Sequence, residues 1–145
     1  MNISLPGSES IAAGMNAERI RMEIASQNIA NSLVTRTESG DPYRRQRAVF
    51  EEVLKESQAA ADTGVNNQIH TVQLVRIEPD PSDLKKVYDP QHPDADGDGY
   101  VSYPNVDVNR EMVDLMMASR AYEANVAAMK FSRKMANEAL SIGKK

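Results

Sequence analysis

Apolar residues recur every third or fourth position along both ends of the chain and lose that rhythm in between. From Val108 the series Met112, Leu115, Ser119, Tyr122, Val126, Met129, Arg133, Ala136 and Leu140 steps by four and three without interruption. That spacing turns one seam of a helix toward a partner. A second row, Val113, Met117, Ala121, Ala124, Ala128, Phe131, Met135, Ala139 and Ile142, lies about 100° further round. The spacing therefore predicts a helix from Asp107 to about Gly143 whose apolar arc is wider than one neighbour fills.

The N-terminal end predicts a second helix, from Ser8 to about Asn31, with Glu9 placed to suit the exposed amides of the first turn. Ile11, Met15, Glu18, Met22, Ala25 and Ile29 form one stripe, and Ala13, Ala17, Ile20 and Ile24 form another nearly opposite. Paired antiparallel, the two helices cover one face of each and leave the rest for other contacts. Glu18, Ser119 and Arg133 interrupt the stripes with polar groups, a pattern that restricts register and choice of partner.

Between Thr35 and Pro104 the helical period fails, and Gly40-Asp41-Pro42, Asp62-Thr63-Gly64, Pro79-Asp80-Pro81 and Asp89-Pro90 mark turns. Tyr43–Phe50, Thr71–Ile77 and Tyr100–Tyr103 are strand candidates, while Glu51–Ala61 reads either as a short helix or as a polar excursion. The expected fold is mainly α: long terminal helices forming an antiparallel coiled coil around an irregular middle with a few short β-strands. Its divisions fall at 1–35, 36–105 and 106–145.

Composition narrows the chemistry. With 145 residues, 41% hydrophobic content, two Phe and no Trp, the chain has little material for a broad core, and an elongated shape fits better. No segment reaches the roughly 18 apolar residues of a membrane span, and the N-terminus lacks the pattern of a cleaved leader. Without cysteine, disulfides, thiolate zinc sites and iron–sulfur clusters are excluded. A net charge of −4 argues against nucleic acid, even though Arg44, Arg45 and Arg47 form a local basic cluster.

Asp94-Ala95-Asp96-Gly97-Asp98-Gly99-Tyr100-Val101 matches the opening of a calcium-binding loop, with acids at positions one, three and five and glycine at six. The twelfth position, which needs a bidentate Glu, is Asn105. The flank from Val87 to Pro93 holds two prolines and cannot be an entering helix. An acidic turn before a strand explains the composition as well, and the cluster of His92 with Asp89, Asp94 and Asp96 has no element to fix its spacing. Neither His70 nor His92 is accompanied by a nucleophile elbow or a glycine loop, so no enzyme and no cofactor are expected. A calcium-responsive helical adaptor, drawn from the acidic loop and the methionines Met112, Met116, Met117, Met129 and Met135, is the alternative.

The stretch Ala25-Ser26-Gln27-Asn28-Ile29-Ala30-Asn31-Ser32 resembles the N-terminal signature of the flagellar rod and hook family, the axial building blocks of the bacterial flagellum. Pro42-Tyr43-Arg44-Arg45, Val87-Tyr88-Asp89-Pro90, His92-Pro93-Asp94-Ala95-Asp96, Gly99-Tyr100-Val101, Pro104-Asn105-Val106-Asp107 and Ala118-Ser119-Arg120-Ala121-Tyr122-Glu123-Ala124-Asn125 extend the resemblance across nearly the whole chain. Asn31 is not followed by the Thr-Pro-Gly-Tyr turn of hook and distal-rod members, which favours a proximal-rod subunit. The resemblance implies an inner coiled-coil domain that stacks helically with other rod proteins and with copies of itself to transmit motor torque. It further implies contacts to inner-membrane ring and export-gate components, and location in the periplasmic part of the basal body after export by the flagellar type III apparatus. The residues expected at the assembly interface are Ile20, Ile24, Asn28, Asn31, Met112, Met116, Arg120, Tyr122, Asn125, Val126 and Met129. Asn28 and Asn31 can cap or bridge backbone at a helix end, and Tyr122 and Arg120 offer a hydroxyl and a planar donor fork.

Overall fold

A computed structural model describes residues 7–56 and 68–142. Two helices, α1 (Ser8–Ala30) and α2 (Val108–Ile142), bracket four strands, β1 (Gln46–Glu56), β2 (Gln68–Pro79), β3 (Lys85–Tyr88) and β4 (Tyr100–Tyr103). The strands form two separate antiparallel pairs, β1 with β2 and β3 with β4. The helix limits agree closely with the periodicity. At about 1.5 Å per residue, α2 is on the order of 50 Å long.

The described part of the middle of the chain holds more strand than its turn-rich sequence suggests. β1 starts later than its candidate, at Gln46, and runs through Glu51 to Glu56, where the sequence left helix or excursion open. The remainder of that stretch, 57–61, lies outside the described residues, as does the predicted Asp62–Gly64 turn. Pairing with β2 runs from Gln46 opposite Pro79 to Glu56 opposite Gln68, with an irregularity after Val49 that leaves Val75 as the extra residue. β3 was not foreseen, because Lys85-Lys86-Val87-Tyr88 is a short, exposed run whose partner β4 decides its conformation. At the turn between them Gly99 has φ 82°, and a Cβ there would lie 2.9 Å from Tyr88 Cε2 and 3.2 Å from Pro90 Cβ. The position takes glycine for both reasons.

The helices lie side by side. Asn28 meets Glu111 near one end, and a Cβ on Gly14 would approach Asn125 Nδ2 to 3.3 Å near the middle, so residue numbers fall along α1 as they rise along α2. Among the described residues, buried apolar side chains are few: Ala17, Ile24, Ala25, Val101, Val106 and Ala118. The core is thus a seam rather than a globule. The β1–β2 ribbon packs on a further side of α1, where Ala48, Phe50 and Val72 face Ala17, Ile24 and Ala25 across an open groove of about 400 Å³. The second apolar stripe of α1, expected to stay uncovered in a single chain, is therefore partly covered by the chain's own ribbon.

The seam on α2 also departs from the simple heptad. Val108 and Met112 are exposed, and the buried positions at this end are Glu111 and Ala118. From Leu115 onward the expected seam holds, with Ser119, Tyr122, Val126 and Met129 half-buried, while Arg133 and Leu140 are exposed. The carboxylate of Glu111 outranks neighbouring methionine for the inner position because it has fixed polar partners there.

Candidate functional site: a polar hub and an open helix face

The hub forms where the last turn of α1, the first turn of α2, the start of β1 and the segment after β2 converge. Asn28 is fully enclosed, and Glu111 is 2% exposed. The Asn28 amide nitrogen donates to Gln46 O and to Glu111 Oε2, both at 2.9 Å. Its Oδ1 accepts from the Tyr43 hydroxyl and the Gln46 amide, both at 2.8 Å. All four hydrogen-bonding positions of one side chain are used, and they tie α1 to α2 and to the first residue of β1.

Glu111 Oε1 accepts from Arg45 Nε at 2.6 Å. Arg45 then reaches Asp80 at 3.4 Å and Asp114 at 3.7 Å, so a single guanidinium holds three carboxylates, two on α2 and one in the segment after β2. Burial opposes its charge, but the Glu111 hydrogen bond and the charges of Glu111 and Asp80 outweigh that and lift its pKa above the ordinary value. Burial, seconded by the charge of Glu111, likewise pushes the Tyr43 hydroxyl pKa up. Asn105 completes the hub, accepting from the Arg45 amide at 2.8 Å and donating to Asp80 O, Ser82 O and Ser82 Oγ. Among the described residues no buried side-chain N or O lacks a partner.

The local sequence explains the convergence. A turn at residues 37–41, closed by Thr37 N and Oγ1 on Asp41 O, folds the chain back so that the Tyr43 amide binds Val34 O and its ring reaches Asn28. The Asp80 amide binds Arg45 O, and Asp80 Oδ1 accepts the Ser82 amide in an Asx turn. That amide and the Ser82 hydroxyl, with Arg45, hold the Asp80 carboxyl below its ordinary value near 3.8, against the opposing effect of burial. A carboxylate depressed in the folded state adds stability that is complete above its unfolded pKa and lost as pH falls through the folded one. Asp80→Asn should therefore flatten the fall in melting temperature between about pH 5 and pH 2. An acid limb that superimposes on the wild type would show that Asp80 contributes nothing to it.

The basic cluster read from sequence is dispersed. Arg45 serves the hub, Arg47 Nε binds Glu78 at 2.9 Å, and Arg44 donates to Ser82 O. The acidic segment is the β3–β4 turn. Asp96 Oδ1 accepts the amides of Asp98 and Tyr100, and Asp94 accepts from Thr35 Oγ1 at 2.8 Å with Arg36 at 3.7 Å. These acids are used as turn and tether groups.

Of the residues singled out from sequence, Asn28 and Ile24 are enclosed within the chain, and Ile20, Tyr122, Asn125, Val126 and Met129 are half-buried. Asn31, also half-buried, donates to Gln27 O at 2.9 Å and closes the end of its own helix. Met112, Met116 and Arg120 are exposed on the opposite side of α2, with Val113, Met117, Phe131 and Met135. The structure thus divides them into an inner set and an outer one. Sequence reasoning missed Glu111, Arg45, Asp80 and Asn105 as a unit; the available signal was an acid at Glu111, one turn before Leu115 on an otherwise apolar seam.

Comparison with known proteins places this arrangement. Residues 98–142 match the family described as flagellar basal body rod FlgEFG protein C-terminal. The chain is 41% identical over 142 residues to the flagellar basal-body rod protein FlgC of Borreliella burgdorferi, covering 90% of this chain and 91% of the relative. Against FlgC of Bacillus subtilis the identity is 41% over 140 residues, covering 92% and 93%. Against FlgC of Salmonella typhimurium it is 33% over 131 residues, covering 90% and 91%.

Proposed function

The chain belongs to the FlgC family of flagellar basal-body rod proteins, structural and non-enzymatic components of the bacterial flagellum, and from that premise we propose that it is a proximal-rod subunit stacked helically with other axial proteins and with its own copies. In this reading α1 and α2 form an antiparallel coiled coil at the inside of the rod, and the β1–β2 ribbon and the β3–β4 hairpin lie outward. The observation that carries it is the two-sided α2. One side packs on α1, and the other exposes Val113, Met116, Met117, Phe131 and Met135, which suits a contact that exists only in the assembly.

The proposed assembly contacts are Met112, Met116 and Arg120 on the outer side. Ile20, Asn125, Val126 and Met129 flank the seam, and Tyr122 supports it from within. Ile24, Asn28 and Asn31 act on assembly indirectly, by fixing the angle at which α1 meets α2 and β1. The polar hub supplies the stiffness that torque transmission needs, because it joins four segments through hydrogen bonds to fixed partners. Export by the flagellar type III apparatus and contacts with the inner-membrane ring and export gate belong to the same reading. No helix among the described residues is long and apolar enough to cross a membrane. The calcium-responsive adaptor gains no support: Asp96 accepts two backbone amides within the β3–β4 turn, and Asp94 is held by Thr35 and Arg36.

Cryo-electron microscopy of purified basal bodies with side-chain assignment tests the proposal. The expected result is this chain within the rod at the level of the inner-membrane ring, with α1 and α2 innermost. Absence of the chain from the rod would overturn it.

A further inference from the structure

The β1–β2 ribbon has two faces, and one of them lines the groove against α1 with Ala48, Phe50 and Val72. Side chains alternate along a strand and opposite residues share a side, so Arg47, Val49 and Glu51 lie on the other face with their partners Glu78, Arg76 and Gln73. At one end of this face the Glu78 carboxylate accepts from Arg47 Nε and from Arg76 Nε, both at 2.9 Å. Two guanidiniums share one anion there. At the other end Glu51 is exposed opposite Gln73 and, among the described residues, has no hydrogen bond or ion pair. Its neighbour Glu52, on the groove side, is already paired with His70. Between the two ends lie Val49 and, beside it, Val75, which is 45% exposed. A surplus cation and a surplus anion thus stand about 13 Å apart, at equal steps from Val49.

We propose that this face of the ribbon pairs with the same face of a second copy, two-fold about Val49, in the free protein. Laid strand over strand in opposite directions, Glu51 of each copy reaches the Arg47, Glu78 and Arg76 group of the other, with the two Val49 side chains between them. Both surplus charges are then met. The charge pattern selects a second copy, because turned half round it becomes its own complement: a cation two residues before Val49 and an anion two residues after. The proposal goes beyond the rod reading and stands without it. A two-fold contact closes at two copies, whereas a rod grows by contacts that do not close, so the pair is a state of the free subunit. The patch takes in only a few residues of each strand, well under the roughly 1,000 Å² of a stable interface, and the pairs therefore form and part readily and weaken in salt.

The chain has no cysteine, so Val49→Cys places a lone thiol at the centre of the contact. Under mild oxidation of the purified full chain at low salt, the disulfide-linked dimer should form at least about tenfold faster than in the same chain carrying Glu51→Arg as well, where like charges meet at both ends. Adding Arg47→Glu in place of Glu51→Arg should slow it in the same way. Mixing these two doubly substituted chains should restore the rate, since each then meets the opposite charge at both ends, a recovery that loss of folding in either chain would not give. Equal rates in all the chains overturn the proposal, and so does a mixture that stays slow. A link between two positions 49 recovered from isolated, oxidised basal bodies overturns it too, because the pair would then belong to the assembly and not to the free subunit.

Discussion

Asn28→Ala should lower the stability of the purified chain by about 3–5 kcal/mol, the cost of stranding several buried polar groups at once. The substitution leaves the Gln46 amide and carbonyl, the Tyr43 hydroxyl and Glu111 Oε2 each short of a partner. For a chain of this length that is a drop in melting temperature on the order of 10 °C. Asn28→Asp is the sharper comparison, because it changes one atom. It exchanges the amide donor facing Glu111 for a second carboxylate, setting two anions in an enclosed site with only Arg45 to serve both. Both variants should melt well below the wild type at neutral pH, and lowering the pH should partly restore Asn28→Asp as a carboxyl takes up a proton. Thermal unfolding followed by circular dichroism reads this directly. Melting temperatures within about 2 °C of the wild type for both variants would mean that the hub is a consequence of the fold and not one of its supports.

The second large effect leaves the fold alone. Met117→Glu on the outer stripe of α2 alters a side chain that is 59% exposed and takes no part in the hydrogen bonds of the hub. Its effect on stability should stay within about 0.5 kcal/mol. Motility should nevertheless fall to the level of a strain lacking the protein, because a carboxylate in the middle of the proposed subunit contact is buried without a matching charge. The two substitutions thus separate the inner side of α2, which builds the subunit, from the outer side, which is proposed to build the rod. Swarm diameter in soft agar, with export and steady-state amount confirmed by immunoblot, decides the matter. Wild-type swarming by Met117→Glu would remove the outer stripe from the assembly interface.

Much of the fold was legible in the order of residue types. The limits of α1 and α2 came from a 3.6-residue period that local side-chain spacing alone specifies, and β4 came from a short β-rich run next to a glycine turn. The excess of apolar surface on α2 was likewise countable before any coordinates, because a helix has a fixed angle per residue and a single partner covers only part of it. The candidate site was legible only in part. Asn28 was noticed as a polar residue able to bridge backbone near a helix end, but its targets lie at Gln46 and Glu111, and no periodicity links positions 18 and 83 residues away.

The sequence by itself determined the two helices, their double-faced character and the family motifs, since each of these is a property of neighbouring residues and their fixed geometry. The tertiary structure alone decided which face of α2 turns inward, that Glu111 displaces Met112 from the seam, and that Arg45 leaves its basic cluster for a buried carboxylate. It also decided that β1 continues through an acidic stretch. Those outcomes depend on long-range pairing: a buried charge is stable only beside its partner, a strand only beside another strand, and neither partner can be read from the residues next door.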